Sequence, residues 1–463
     1  MMQLLQTAKV LNARLAQGGG SVRYSGVSTD TRKIAQGDLY VALRGEKFDG
    51  AEFVIQAMQQ GAVAALVNRD GYEARRVDWN PEFPVLLVDD TRLALGQLAA
   101  EWRRRFDIPL VAITGSNGKT TVKEMTASIL RAAAGREDAV LATAGNFNND
   151  IGMPLTLLKL NAQHRYAVIE MGMNHPGEID YLTQIARPQV ALINNASGAH
   201  LEGMGSVHAV AEAKGEIFAG LQHEGSAIIN ADDEHAPLWR TLAGVHSLLE
   251  FGLNNDADVS GTWQPQGAGL RLAVKTPSGD FSVSLLVPGE HNARNALAAT
   301  AAAIALNLPL ERIVEGLEKF SGVAGRLQRK PGKNGAMLID DTYNANPASL
   351  QAAIAVLAQA PGRRVLVLGD MGELGENAAV FHAGIGAYAR EAGVDRLCAL
   401  GDLSRHAAVE FGAGATYFGS LESLLEALDG ELNDGTTLLV KGSRFMKMER
   451  VVAHCADTGK VEE

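Results

Sequence analysis

Cysteine is nearly absent: two residues in 463, Cys398 inside the apolar run Leu397-Cys398-Ala399-Leu400 and Cys455 near the C-terminus. Neither has zinc-ligand spacing and two make no disulfide framework, so both read as small buried apolar side chains. Long hydrophobic runs are missing too. Met1 to Gln17 is broken by Lys9 and Arg14 and lacks the apolar centre of a signal peptide, while the longest low-charge stretch, Ala296 to Leu310, is too short to span a bilayer. No extended basic run occurs, and 42 Lys and Arg stand against 53 Asp and Glu, a net charge of −11. That balance argues against a general nucleic-acid binder. Repeats and low-complexity tracts are absent as well. The expectation is a soluble cytoplasmic protein, neither inserted in a membrane nor bound to nucleic acid.

Glycine is plentiful, at 50 residues against a usual ~7%. Such a chain has many tight turns, and turns at strand ends commonly bind phosphates. At ~150 residues per domain the length implies about three domains, with ligand sites between them.

From about Leu110 the chain alternates short apolar runs with helical periodicity, the pattern of parallel α/β units. Strands are expected at Leu110–Thr114, Tyr166–Ile169, Val190–Ile193 and Ala227–Ile229, with a helix over Thr120–Ala133. The later strands end in polar residues: Glu170, then Asn194-Asn195, then Asn230 with Asp232-Asp233. Ligands of open parallel sheets gather at those carboxyl ends, so these groups share one rim. Upstream, Leu95, Leu98 and Trp102 form a helical face ending in Arg103-Arg104-Arg105, cations read as complementing a helix dipole rather than as an anion site.

Pro81 and Pro84 mark a change of domain near Val88. A second α/β series begins after Gly325-Arg326, with strands at Ala336–Ile339, Val365–Leu368 and Leu438–Val440; Leu350, Ile354 and Leu357 lie on one helical face. Segment 255–288 alternates apolar residues with turn signals and reads as antiparallel strands appended to the central domain. Met446-Lys447-Met448 reads as the continuation of a terminal helix. The fold class is therefore α/β, in three domains at 1–88, 89–322 and 323–463.

The strongest local signal is Thr114-Gly115-Ser116-Asn117-Gly118-Lys119-Thr120-Thr121, between a strand and a helix. Its glycines would let backbone N–H groups approach phosphates, Lys119 would meet the β/γ-phosphate charge, and Thr120 would offer a hydroxyl to Mg²⁺. The spacing departs from the usual G-x-x-x-x-G-K-[ST], whose first glycine would fall at Ile113; what stands is a shorter G-x-x-G-K-T. Glu170 is well placed to hold a Mg²⁺ bridging nucleotide phosphates, although a lone Glu after a strand is more often a cap or a surface residue. Taken singly, His200 reads as a structural histidine and Lys214 as a solvated helical lysine. Only their common rim sets those readings against a site.

The chain resembles the Mur ligase family. The likeness runs through Thr114–Thr121, Gly145-Asn146-Phe147-Asn148-Asn149-Asp150-Ile151-Gly152-Met153-Pro154, Glu170-Met171-Gly172, Ala199-His200-Leu201-Glu202, Ala213-Lys214, His291-Asn292-Ala293-Arg294-Asn295-Ala296, Gly325-Arg326 and Asp340-Asp341-Thr342-Tyr343-Asn344-Ala345-Asn346-Pro347. The resemblance implies an N-terminal UDP-sugar domain, a central P-loop ATPase-like parallel sheet and a Rossmann-like C-terminal domain that binds the incoming dipeptide. It implies amide formation by way of an acyl phosphate, with ATP and two Mg²⁺ ions. By resemblance Lys119, Thr120 and the surrounding loop hold the phosphates and one Mg²⁺, Glu170 and His200 serve a second metal site, and Lys214 matches a lysine often carried as a carbamate, a further metal ligand in that form. Asn295 matches an adenine-side asparagine, Arg326 an inter-domain arginine on the γ-phosphate, and Asp341 a ribose-binding carboxylate.

Within the family, Ser28-Thr29-Asp30-Thr31-Arg32 and Gly37-Asp38-Leu39-Tyr40-Val41-Ala42-Leu43-Arg44-Gly45 resemble the N-terminal domain shared by the members that add the third residue and D-alanyl-D-alanine. Ser28, Asp30, Thr31 and Arg32 are the candidates for the uridine diphosphate end, a folded turn with Asp–Arg pairing being the alternative. Asn146-Phe147-Asn148-Asn149, Tyr343-Asn344-Ala345-Asn346-Pro347 and Gly369-Asp370-Met371-Gly372-Glu373-Leu374-Gly375 point to the D-alanyl-D-alanine-adding branch, and the Asp-Asn-Pro-Arg of the diaminopimelate-adding relative is missing. Asn148, Asn149, Asn344 and Asn346, with Asn146 and Tyr343 beside them, suit peptide carbonyl and N–H groups. Lys441-Gly442-Ser443-Arg444 would hold the dipeptide carboxylate or else form a surface basic cluster. The implied substrates are UDP-N-acetylmuramoyl-tripeptide and D-alanyl-D-alanine, handled by a monomer. The competing readings are another amide ligase of the superfamily, such as a folylpolyglutamate synthetase, and a nucleotide-binding switch.

Overall fold

The computed structural model describes residues 1–45, 48–198 and 201–457, with the side chains of 201 and 202 left aside. Their strands form three sheets. The first holds β1 (Arg14–Gln17), β2 (Gly26–Ser28), β3 (Asp38–Val41), β4 (Ala64–Asn68) and β5 (Val85–Val88) in the order β1-β5-β4-β3-β2, parallel except for β1.

The central sheet has nine strands: β6 (Leu110–Thr114), β7 (Val140–Ala142), β8 (Tyr166–Glu170), β9 (Val190–Ile193), β10 (Ser226–Asn230), β11 (Ser247–Gly252), β12 (Val259–Gln266), β13 (Gly269–Lys275) and β14 (Phe281–Leu285). Their order is β14-β13-β12-β11-β10-β9-β6-β8-β7, parallel from β7 through to β12 and antiparallel across the last three. The antiparallel strands expected at 255–288 thus continue the sheet rather than form a layer of their own.

Alternation along β6 explains its central place. Val111 and Ile113 enter one apolar cluster, with Val122, Met125, Ile129 and Leu130 of the helix Lys119–Ala134; Leu110 and Ala112 enter the opposite one. A strand covered on both faces reads as a continuous apolar run, as this one does. Each buried Val, Leu or Ile here contributes about 1.5–3 kcal/mol. The alanine-rich helix Glu290–Ala305 lies on the same side as Lys119–Ala134 and is buried along most of its length.

The third sheet holds β15 (Gln328–Pro331), β16 (Met337–Asp341), β17 (Arg363–Gly369), β18 (Arg396–Leu400), β19 (Ala415–Phe418) and β20 (Thr436–Lys441), in the order β15-β16-β20-β17-β18-β19, with only β15 antiparallel. Asn346 caps the helix Pro347–Ala358: its side chain accepts from Ser349 N at 2.8 Å, and Pro347 fills the first helical position.

The sheets are joined in unequal ways. One apolar cluster runs from Leu39, Leu66 and Leu86 of the first sheet through Leu95 and Leu98 of the helix Thr91–Arg103 to Ile169 and Ile193 of the second. The third sheet buries its two faces in clusters of its own, around Leu366 and Leu368 and around Val365 and Val367. An apolar junction resists sliding and a polar one permits it. No buried apolar cluster is shared between the third sheet and the second among the described residues.

Several details depart from expectation. Met446-Lys447-Met448 is not helix: Arg444–Met446 is a 3₁₀ turn, Lys447 takes φ +51°, and the terminal helix Glu449–Cys455 begins only beyond it. Arg103 does more than face a helix dipole. Its buried guanidinium donates to the carbonyls of Ala186, Phe106 and Ile108, stitching the end of its helix to the central domain. β15, with Arg329, Lys330 and Pro331, is a polar edge strand carrying no apolar pattern for a sequence to show. Cys398 and Cys455 are buried, as their apolar settings imply, and burial pushes both thiols up to about 11. No helix among the described residues is long and apolar enough to cross a membrane.

Candidate functional site

The turn between β6 and the helix Lys119–Ala134 wraps around its own glycines. Gly115 has φ +152° and Gly118 φ +77°; a Cβ on Gly118 would lie 2.5 Å from both Asn194 Nδ2 and Asn295 Oδ1. Only glycine fits there. Asn194, at the end of β9, is the hub: its amide donates to Asn117 O at 2.9 Å and to Asn295 Oδ1 at 3.0 Å, and its backbone oxygen accepts from Asn230 at 3.0 Å. Ser116 Oγ donates to Ser197 O at 3.2 Å, and Asn117 N donates to Asn195 Oδ1 at 2.8 Å. Of the rim expected from the sequence, Asn194, Asn195 and Asn230 thus join the loop in one hydrogen-bonded assembly. What the sequence did not reveal is that these asparagines hold the loop.

Lys119 Nζ donates to Gly115 O at 2.7 Å and Ser116 O at 3.3 Å, and burial lowers its pKa, Glu170 opposing and Arg326 adding to the effect. Thr120 Oγ1 donates to Glu170 Oε2 at 2.9 Å. Glu170, 2% exposed at the end of β8, accepts from Asn148 Nδ2 at 2.8 Å on its other oxygen. Arg326 comes from the third domain's side of the linker: its Nη2 donates to Thr120 Oγ1 at 2.9 Å, and its guanidinium lies 4.2 Å from the centre of the Tyr343 ring. A second bridge, Asn346 Nδ2 to Asn117 Oδ1 at 2.8 Å, also joins the third domain to the loop.

Lys119 and its loop neighbours Ser116, Asn117 and Gly118 line a cleft of about 1550 Å³ whose walls include Asn146, Asn148, Asn149, Asn295, Arg326, Asp341, Tyr343, Asn344, Asn346, Ser443 and Arg444. Thr121 and Glu170 line it too. Arg326 Nε, Asn194 Oδ1 and His291 Nε2 are buried there without a hydrogen-bond partner among the described residues. Tyr181 Oη and Glu449 Oε2, on residues that also line the cleft, are unpartnered as well; unpaired buried polar atoms are costly, so their concentration here suits a polar ligand. Asp341 is already engaged: Oδ2 meets Lys441 Nζ at 2.6 Å, and Oδ1 accepts from Leu327 N at 3.1 Å. Burial pushes its carboxyl up, with Lys441 pulling the other way. Ser443 Oγ accepts from Gly372 N at 2.8 Å, tying two loops at the mouth.

Lys214 is not the solvated lysine its flanking acids imply. It is 2% exposed on the helix Val207–Gly215, has no hydrogen-bond or ion-pair partner among the described residues, and its pKa is pushed well below the lysine range by burial and then by Lys119. His200 lies outside the described residues. Ser28, Asp30, Thr31 and Arg32 stay outside the cleft: Ser28 Oγ donates to Asp30 O, Arg32 forks onto Asp30, and Thr31 Oγ1 donates to Gln56 Oε1 at 3.2 Å. Sequence reading passed over Lys123, buried and donating to Thr143 O, and Arg92, paired with Asp150. Neither sits in a recognisable motif.

A glycine-and-lysine loop after one central strand, a carboxylate at the end of the neighbouring strand and an arginine from beyond the central sheet thus meet at one cleft between α/β layers, the arrangement of a multidomain α/β enzyme. The profile of the Mur ligase middle domain matches residues 113–303, that of the Mur ligase glutamate ligase domain 325–444, and that of the Mur ligase family catalytic domain 23–103. A UDP-N-acetylmuramoyl-tripeptide--D-alanyl-D-alanine ligase of Haemophilus influenzae is 42% identical over 463 residues, 98% of each chain. The crystal structure of MurF from Acinetobacter baumannii superposes with a TM-score of 0.90 at 37% identity, covering 97% of this chain and 98% of that one. MurF of Thermotoga maritima in complex with ADP superposes at 0.80 with 26% identity, covering 94% and 97%. The chain belongs to the Mur ligase family.

Proposed function

We propose that the protein is the ATP-dependent amide ligase of peptidoglycan precursor synthesis that joins D-alanyl-D-alanine to UDP-N-acetylmuramoyl-tripeptide, giving the pentapeptide, ADP and phosphate. The observation that carries this reading is the meeting of Arg326 with Thr120 beside Glu170, which brings the third domain's cation onto the phosphate loop. The full-length relatives of that name and the ADP-bound neighbour support it.

The chemistry asks for cations first. The tripeptide carboxylate attacks the γ-phosphorus of ATP, two anions that repel until their charge is offset, and ADP leaves. The dipeptide amine then attacks the acyl phosphate carbon, phosphate leaves, and the amine loses its proton. Lys119 and the loop N–H groups bind the phosphates, whose negative charge favours the charged lysine that burial disfavours. Arg326 suits the γ-phosphate because its fork pairs with phosphate oxygens and stays charged. Its arrival from another domain ties catalysis to closure, which excludes water from the acyl phosphate. The domain limits 1–88, 89–322 and 323–463 are part of this reading.

Mg²⁺ fits the donor set. Thr120 and Glu170 offer hard oxygens, and no group of three or more His, Cys, Asp or Glu among the described residues would hold a metal unaided. An incomplete protein shell suits an ion that keeps waters and takes phosphate oxygens. Bound there, Mg²⁺ would neutralise phosphate charge; Glu170 and His200 would serve a second ion. Lys214, buried where its charged form is disfavoured, is suited to add CO₂ at Nζ with loss of a proton, turning a lone amine into an anionic carbamate. Asn295 takes the adenine side and Asp341, if Lys441 yields it, the ribose. Gly115, Ser116, Asn117, Gly118 and Thr121 complete the phosphate cradle. Asn146, Asn148, Asn149, Tyr343, Asn344, Asn346, Ser443 and Arg444 face the peptide substrates, and Ser28, Asp30, Thr31 and Arg32 the uridine diphosphate. The enzyme works in the cytoplasm as a monomer. The test is product formation: UDP-N-acetylmuramoyl-pentapeptide should accumulate only with Mg-ATP and both substrates present, whereas its absence with all of them would overturn the reading.

A further inference from the structure

Lys123 lies one helical turn beyond Thr120 on the same face of the helix Lys119–Ala134, and it is 1% exposed. Burying an ammonium is expensive unless its protons are taken up. Here Nζ donates to the backbone carbonyl of Thr143 and meets Glu124 Oε1 at 3.0 Å. Thr143 directly follows β7 and opens the segment that carries Asn148. Its hydroxyl accepts from Glu170 N at 3.0 Å, and its own N–H donates to Val168 O at 3.1 Å. The same segment closes on Glu170 again further along: Asn148 Nδ2 donates to Glu170 Oε1 at 2.8 Å, and Gly172 N donates to Asn148 O at 2.8 Å. Gly172 packs closely there: a Cβ would lie 3.0 Å from the Asn148 amide, which would have to give by a few tenths of an ångström.

The carboxylate is thereby gripped from two directions. Thr120 holds Oε2 from the phosphate-loop helix, and the 143–148 segment holds the backbone N–H and Oε1. Only Lys123 ties that segment back to the helix by a side-chain hydrogen bond among the described residues, so it sets the distance between the two halves of the grip. We infer that Lys123 is a positioning residue: by anchoring Thr143 to the phosphate-loop helix it holds Glu170 in the orientation that receives a nucleotide-bound divalent cation. The inference rests on the role proposed above for Glu170, and it concerns metal affinity rather than the identity of the peptide substrates.

Outer partners that orient a metal-binding carboxylate are worth about 10–100-fold in metal affinity. The test is Mn²⁺ binding in the presence of ADP, followed by electron paramagnetic resonance, for the full chain and for Lys123→Met, Lys123→Arg and Thr143→Val. Lys123→Met keeps the stem and loses the donor; its Mn²⁺ affinity should fall about tenfold or more while metal-free ADP binding in EDTA stays at the wild-type level. Lys123→Arg, with a donor retained, should recover part of the loss. Should Lys123→Met fail to fold, Thr143→Val removes the acceptor of the Glu170 N–H with the lysine untouched, and the same loss is expected. Unchanged Mn²⁺ affinity in either folded variant would overturn the inference. If wild-type protein with ADP binds Mn²⁺ but forms no pentapeptide, the ligase reading fails while the role of Lys123 stands; if it binds no Mn²⁺, the role of Lys123 falls with that of Glu170.

Discussion

Replacing Gly118 by alanine tests whether the asparagine assembly shapes the nucleotide site. The residue sits at φ +77°, where an L side chain costs about 1–2 kcal/mol. Its new methyl would lie 2.5 Å from Asn194 Nδ2 and from Asn295 Oδ1, so both amides must move apart. That breaks their mutual hydrogen bond and loosens the one from Asn194 to Asn117 O, each worth about 1 kcal/mol. Together these give about 3 kcal/mol, or roughly 100-fold in nucleotide affinity if the distortion is relieved only in the unliganded protein. A fluorescent ADP analogue titrated into wild type and variant reads this directly. Gly135→Ala is the control: it also has a positive φ, +69°, but nothing lies within 4 Å of its Cβ, so it should lose stability and keep affinity. Gly118→Ala binding ADP within about twofold of wild type would refute the reasoning.

Further outcomes follow from the same geometry. Lys119→Met should abolish turnover while leaving thermal unfolding close to wild type, checked by phosphate release beside a melting curve. Arg326→Lys keeps a cation but loses the fork and the Tyr343 stacking, and steady-state kinetics should show kcat reduced about 100-fold with little change in KM for ATP. Burial pushes His291 down to about 4, with Arg294 and Lys441 adding, so the folded protein holds it neutral while the unfolded chain protonates near 6.5. The stability it contributes is present above pH 6.5 and lost as pH falls toward 4; urea midpoints across that window should decline less steeply in His291→Gln. Removing CO₂ should slow turnover and bicarbonate restore it, with a ¹³C carbamate signal absent from Lys214→Met.

The chain's organisation was legible because strands buried on both faces carry a continuous apolar pattern: Leu110–Thr114, Val190–Ile193 and Val365–Leu368 all lie within strands of the sheets. The loop motif was legible because its glycines and lysine answer to phosphate chemistry. β15 was not, since a polar edge strand leaves no period to read, and the left-handed Lys447 that ends the 3₁₀ turn Arg444–Met446 was not, because a lysine gives no signal for a positive φ. Lys214 shows the limit for site residues. Its neighbours Glu212 and Glu216 look like a solvated face, and only the fold reveals that the lysine points inward. Asn194 was seen as a rim residue, but its hub role depends on three partners distant in sequence. Asn148 was read as a peptide contact, and the structure also binds it to Glu170.

The measurement that bears most directly on function is ADP release by the purified protein with Mg-ATP and UDP-N-acetylmuramoyl-tripeptide, with and without D-alanyl-D-alanine. Turnover that requires both substrates and disappears in Lys119→Ala is the expected result. ATP hydrolysis at the same rate with neither substrate present would contradict it and leave a nucleotidase or a switch.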